Sequence, residues 1–152
     1  MRNIDDFLLT TYSSALKIIL ENTIIENVKG CFMGKMILDD LRKRLERLDE
    51  DADLLIDNDD RYQMVIVGGS AFILLGKLTR ATHDIDALSV PKELYGLLGK
   101  YDINTDVEAY IDNFPYNYPD RLQPLPFGGT KVQFYTPSLE DLVIAKLCSF
   151  RD

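Results

Sequence analysis

The sequence predicts an α+β (α/β) fold: a small mixed sheet flanked by helices, with an N-terminal helical extension. Three observations carry this expectation. Helical periodicity fills the first third of the chain, and short β-branched runs bounded by glycine or proline occupy the rest. Between them, a strand-turn-helix unit near residues 63–77 is followed by a second strand after one helix and a turn. At 152 residues, 46% hydrophobic and 10% aromatic, the chain is about one domain long and can bury a sizeable core. We divide it into N-terminal helices with an acidic loop, 1–60, packed on a domain spanning 61–152 as a single globular unit.

Between Ile4 and Ile25 the apolar positions Ile4, Phe7, Leu8, Tyr12, Ala15, Leu16, Ile19 and Leu20 recur at three- and four-residue steps, one amphipathic helix or two short ones. Lys29 to Gly34 interrupts this pattern. A second helix is expected over Met36 to Leu48, with Ile37, Leu41, Leu45 and Leu48 on one face. The acidic stretch Leu48 to Asp60 reads as a solvated helix end and loop, because it lacks the alternating ligands, turn glycine and terminal glutamate of a calcium loop. Gln63 to Val67 reads as a buried strand ending at Gly68-Gly69, and Ser70 to Lys77 as a helix.

Ile85 to Val90 is expected to be the next strand, stopped by Pro91, with a short helix over Lys92 to Leu98. Tyr101 to Asp120 suggests loops with a strand near Val107 to Ile111. Leu122 to Gly129 reads as turn-rich, leading into an alternating strand at Lys131 to Tyr135. A last helix opens either with Thr136 as cap and Pro137 as first residue, or with Ser138 as cap and Asp141 in capping-box position.

Composition narrows the function classes. No apolar stretch approaches the roughly 20 residues of a membrane span, and the acidic N-terminus does not resemble a secretory signal, so we expect a cytoplasmic protein with no membrane association. Cys31 and Cys148 have neither disulfide-framework nor zinc-site spacing. A net charge of −8 is the wrong sign for extended DNA binding and leaves a small nucleotide, a basic protein or a locally recognised RNA as partners.

Chemistry concentrates in residues 65–86. A strand, then Gly68-Gly69-Ser70, then a helix brings backbone close to a phosphate, because glycine has no Cβ in the way and a helix start offers free amide donors. Alone, an ordinary strand-to-helix turn would look the same. Thr82-His83-Asp84-Ile85-Asp86 follows, with its first aspartate fourteen residues after Ser70. On a strand Asp84 and Asp86 project from one face, and a cation relieves the repulsion between paired carboxylates. Mg²⁺ suits such a pair, since it takes one or two carboxylates and fills its remaining positions with water and phosphate oxygens. Two exposed aspartates at a strand end are the plainer alternative. His83 would face away from both and reads as a structural neighbour.

Val65-Ile-Val-Gly-Gly-Ser-Ala-Phe72 with Thr79-Arg-Ala-Thr-His-Asp-Ile-Asp86 resembles the nucleotidyltransferase superfamily, the polymerase-beta-like head domain. The nearest likeness is to small bacterial proteins related to antitoxin or abortive-infection nucleotidyltransferases. Their late helix, roughly Pro-x-x-Glu-Asp-Leu-x-x-x-Lys-Leu followed by Arg-Asp or Lys-Asp, is similar to Pro137 to Leu147 and Arg151-Asp152. The resemblance implies that Gly68, Gly69 and Ser70 contact nucleotide phosphates and that Asp84 and Asp86 bind Mg²⁺, or Mn²⁺ in its place, as the catalytic pair. It also implies that Lys146 reaches a phosphate and Arg80 lies near the metal, a solvated cation or local ion pair being the alternative for each.

Active members commonly add a third carboxylate from a later strand. The strand Lys131 to Tyr135 offers Gln133 instead, and Asp106 or Glu108 is the alternative if Val107 to Ile111 is the adjacent strand. The leading expectation is a Mg²⁺-dependent enzyme that transfers a nucleotidyl group from an NTP such as ATP to a protein or RNA hydroxyl. A catalytically silent interaction module, antitoxin-like and paired with a toxin, is the second. An unrelated α+β domain with chance motifs is the third.

Overall fold

The computed structural model describes residues 37–149, so the helix expected over Ile4 to Ile25, Cys31 and the Arg151-Asp152 pair lie outside the described residues. Among these residues we number four α-helices and five strands. Helix α1, Leu38–Leu55, is followed by β1 (Tyr62–Val67), α2 (Gly68–Leu74) and β2 (Ile85–Leu88). A 3₁₀ turn at Lys92–Leu94 leads into α3, Tyr95–Leu98, and then β3, Ile103–Asn104. Two 3₁₀ segments, Asp106–Asn113 and Tyr118–Arg121, precede β4 (Gln123–Gly128), β5 (Val132–Thr136) and α4 (Leu139–Ser149).

The sheet order is β3-β2-β1-β5-β4. Strand β1 is central, antiparallel to β2 and parallel to β5, and β2 is parallel to β3. Met64, Val65, Ile66 and Val67 are all buried although their side chains alternate, so β1 is covered on both faces. This explains a β-branched run rather than an alternating one. The expected α+β class with a mixed sheet is what the chain adopts, and residues 37–149 contain no helix long and apolar enough to cross a membrane.

Helix α1 runs seven residues beyond the expected end, because Leu41, Leu45, Leu48 and Ala52 continue one buried stripe into the same core as β1. The acidic stretch is therefore mostly helix. Asp49 is buried rather than solvated: its carboxylate accepts from the backbone N–H groups of Thr130 (3.0 Å), Lys131 (2.7 Å) and Val132 (2.6 Å). These donors lie at the entry to β5, where the hairpin from β4 would otherwise leave them unmatched. Asp51 accepts from Lys100 Nζ at 2.6 Å and from the Tyr101 hydroxyl, which ties α1 to the turn before β3.

Two further expectations are corrected. Residues 107–111 form 3₁₀ turns instead of a strand, and the ladder beside β2 is made by Ile103–Asn104. Residues 123–128, expected to be turns, form β4. It is an edge strand, where Pro124 and Pro126 can face away from the ladder without leaving a partner short of a donor. At the start of α4 the Ser138 alternative holds, since its hydroxyl accepts from the Asp141 N–H at 3.2 Å. Asp141 itself is buried and receives a forked pair from Arg121, Nε to Oδ2 at 2.9 Å and a terminal nitrogen to Oδ1 at 2.8 Å.

Candidate functional site

The C-terminal end of β1 carries the site. Val67 pairs with Asp86 across the antiparallel ladder, and Asp86 pairs with Asn104 across the parallel one. Position 86 therefore stands beside the turn that leaves β1. Gly68 makes that turn with φ +65°, and a Cβ there would lie 2.6 Å from Asp86 Oδ2. Only glycine accepts both the left-handed backbone and the carboxylate pressed against it. At Gly69 an added Cβ would meet the Arg80 guanidinium at 2.8 Å, which places that cation against the same turn.

Ser70 is buried and its hydroxyl donates to the Val67 carbonyl at 2.9 Å, so the hydroxyl braces the turn. Asp84 lies exposed in the bend just before β2, where the Thr82 hydroxyl donates to its carbonyl at 3.1 Å. Burial, with Asp84 as the next contributor, raises the Asp86 carboxyl to about 6. The charge of Asp106 adds to the rise, and a hydrogen bond from Asn104 Nδ2 (3.4 Å) and the charge of Lys146 oppose it. The pair is thus close enough to repel, and the Asp86 carboxylate is disfavoured where it stands. His83 is exposed in the bend and is not among the residues that line the site.

Lys146, reached from α4, lines with Gly68 and Asp86 a cavity of about 390 Å³. The rest of the lining is largely apolar, with Phe72, Val107, Tyr110, Phe114 and Leu142 beside the Asn113 amide. Charged and aromatic groups thus share one cavity, whose volume falls within the usual range for small-molecule clefts.

The third-carboxylate question resolves through register. Gln133 pairs with Gln63 near the start of β1, and its amide donates to the carbonyls of Leu125 and Phe134 at 3.2 and 3.1 Å. Four residues separate that level from Val67, roughly 13 Å along a strand, so an acid there would not reach Asp86. The neighbour of Asp86 on its other side is Asn104, and Asp106 follows two residues later with its N–H donating to Asn104 Oδ1 at 2.9 Å. Glu108 is engaged elsewhere, accepting from the Ser89 N–H at 3.1 Å. Among the described residues no group of three or more His, Cys, Asp and Glu side chains has metal-holding spacing.

Sequence reasoning missed Asn104 and the aromatic wall. Both depend on which strand lies beside β2, and a two-residue strand leaves almost no periodic signal.

Residues 43–152 match the model of a family described as nucleotidyltransferase of unknown function (DUF6036). No curated protein and no solved structure matches the chain.

Proposed function

The chain belongs to the family of nucleotidyltransferases of unknown function (DUF6036), and from that premise we propose that it binds an NTP such as ATP with Mg²⁺ and transfers the nucleotidyl group to a protein or RNA hydroxyl. The observation that carries this reading is the apposition of Asp86 to the Gly68 turn, with Asp84 beside it and Lys146 lining the same cavity. A half-buried acid whose neighbour is another acid is unfavourable by itself, and a cation between them removes the penalty. Asp84 and Asp86 would hold the Mg²⁺, or Mn²⁺, whose contribution is to neutralise phosphate charge during an in-line displacement. The protein supplies two carboxylates, which is all that Mg²⁺ requires when phosphate oxygens and water complete its shell.

This chain's own groups do the rest. The amides of the Gly68-Gly69-Ser70 turn and the Arg80 guanidinium receive the phosphates, and Lys146 balances their charge from α4. The apolar wall takes the base and excludes water from one side. In the transfer, the acceptor oxygen forms a bond to the α-phosphorus as the bond to the β-phosphate oxygen breaks. Pyrophosphate leaves with the electron pair and the hydroxyl proton passes to water. The residues contribute position and charge, and we place the reaction in the cytoplasm.

A specific observation favours a second reading, a catalytically silent module, antitoxin-like and partnered by a toxin: an amide, Asn104, occupies the strand position beside Asp86 where an acid would complete a trio. Incubating the protein with Mg²⁺ and ATP labelled on either the α- or the γ-phosphate, with protein and RNA acceptors, separates the two. Enzymatic transfer leaves only the α-label on the acceptor and stops in Asp86→Asn. Tight Mg-ATP binding with no α-label transfer supports the silent module, and absence of ATP binding removes the nucleotide site altogether.

A further inference from the structure

From the surface around the cavity mouth, and resting on the reading of the site given above, we infer that the acceptor hydroxyl is carried by a basic protein that docks on residues 106–120. This segment holds Asp106, Glu108, Asp112 and Asp120 and contains no lysine or arginine. All four acids are exposed. Arg121, the first cation after them, is occupied by the fork to Asp141. Within seven consecutive residues Tyr110, Ile111 and Tyr116 are also exposed, Tyr116 completely.

The segment is ordered by its own contacts and not by those outward side chains. Phe114 packs on Tyr118 with ring centroids 5.2 Å apart, and the N–H groups of Phe114, Tyr118 and Asp120 donate to the carbonyls of Ile111, Pro115 and Asn117 at 2.9–3.1 Å. Glu108 fastens it to the end of β2 through the Ser89 N–H. Exposed tyrosines on a pre-shaped backbone supply contact area with little ordering entropy left to lose. Tyr110 connects this surface to the chemistry, since it also lines the cavity that Asp86 and Lys146 share.

Charge decides between macromolecular partners. A polynucleotide backbone approaching this segment would meet four carboxylates on a chain of net charge −8 and be repelled, whereas lysine- and arginine-rich protein surface would be steered toward it. The aromatic and aliphatic side chains between the acids then provide the short-range contact.

The test uses the whole chain and fluorescence anisotropy with three labelled probes: a lysine- and arginine-rich peptide containing one tyrosine and one serine, a glutamate-rich peptide of equal length with the same two residues, and an oligoribonucleotide. We expect the basic peptide to bind, to weaken with added salt, and to lose about tenfold in affinity in the double variant Asp112→Lys/Tyr116→Ser, with Mg-ATP affinity unchanged. Both positions are exposed and outside the nucleotide cavity, so the fold is preserved. Equal binding of the two peptides, unchanged binding in the variant, or preferential binding of the oligoribonucleotide would overturn the inference while leaving the nucleotide site intact. Basic-peptide binding without Mg-ATP binding would instead remove the reading of the site and leave a docking surface without a reaction.

Discussion

Replacing Asp86 with asparagine should stabilise the protein at neutral pH while removing its function. The Asp86 carboxyl rises from 3.8 to about 6, first through burial and then through Asp84. At about 1.4 kcal/mol per tenfold change in proton affinity, the rise sets a ceiling of about 3 kcal/mol on the penalty of ionising it in the folded state. The carboxyl is only half-buried, so solvent screening reduces this to about 1–2 kcal/mol. Because the folded-state value lies above the unfolded one, the native state binds more protons between the two, and stability falls as pH rises through this window. The penalty is fully present above about pH 6 and absent below about pH 4. Asparagine keeps the shape, so in metal-free buffer near pH 7.5 Asp86→Asn should raise Tm by about 2–8 °C, with the gain fading toward pH 4. Thermal unfolding followed by circular dichroism in EDTA at several pH values measures both. An asparagine variant no more stable than wild type at neutral pH, or a gain that persists unchanged in acid, would refute the reasoning.

Other substitutions probe other parts of the structure. Gly68→Ala forces a left-handed alanine and a Cβ 2.6 Å from Asp86 Oδ2; denaturant unfolding should show a loss of about 1–3 kcal/mol, and calorimetry a loss of nucleotide binding. Asp49→Ala strands the three N–H donors at the entry to β5. It should reduce stability by about 2–4 kcal/mol in urea titrations, with nucleotide affinity retained in the folded fraction because the site is at the other end of β1. Lys146→Ala should weaken ATP binding about tenfold, measured by calorimetry, through loss of a cation beside the phosphates, and should lower Tm slightly at neutral pH because its charge favours ionised Asp86.

What the sequence revealed and what it hid follow from how far each signal reaches along the chain. The Gly68-Gly69-Ser70 turn and the Asp84/Asp86 pair are local patterns, and a buried strand such as Met64 to Val67 announces itself by β-branched composition. The neighbour of Asp86 is set by β3, two residues long, whose parallel pairing carries no periodic signature, so Asn104 was not visible and Gln133 drew attention to the wrong edge of β1. Asp49 looked like one more solvated acid because its partners, residues 130–132, are some eighty positions away. The prolines of β4 argued for turns, and only its place at the sheet edge makes them compatible with a strand. The 3₁₀ turns of 106–113 mimicked a strand through the alternation of Val107, Ala109 and Ile111, but they pack beside β2 as turns and the ladder there goes to Ile103–Asn104.

The most direct test of the central claim, that Gly68 to Ser70 and Asp84/Asp86 form one metal-nucleotide site, is an NMR titration of the whole chain with Mn²⁺, with and without ATP, compared with Asp84→Asn. The account predicts paramagnetic broadening confined to residues around Gly68–Ser70, Asp84–Asp86 and Lys146, strengthened by ATP and lost in the variant. Uniform broadening across the acidic surface, or selective broadening that survives in Asp84→Asn, would contradict it.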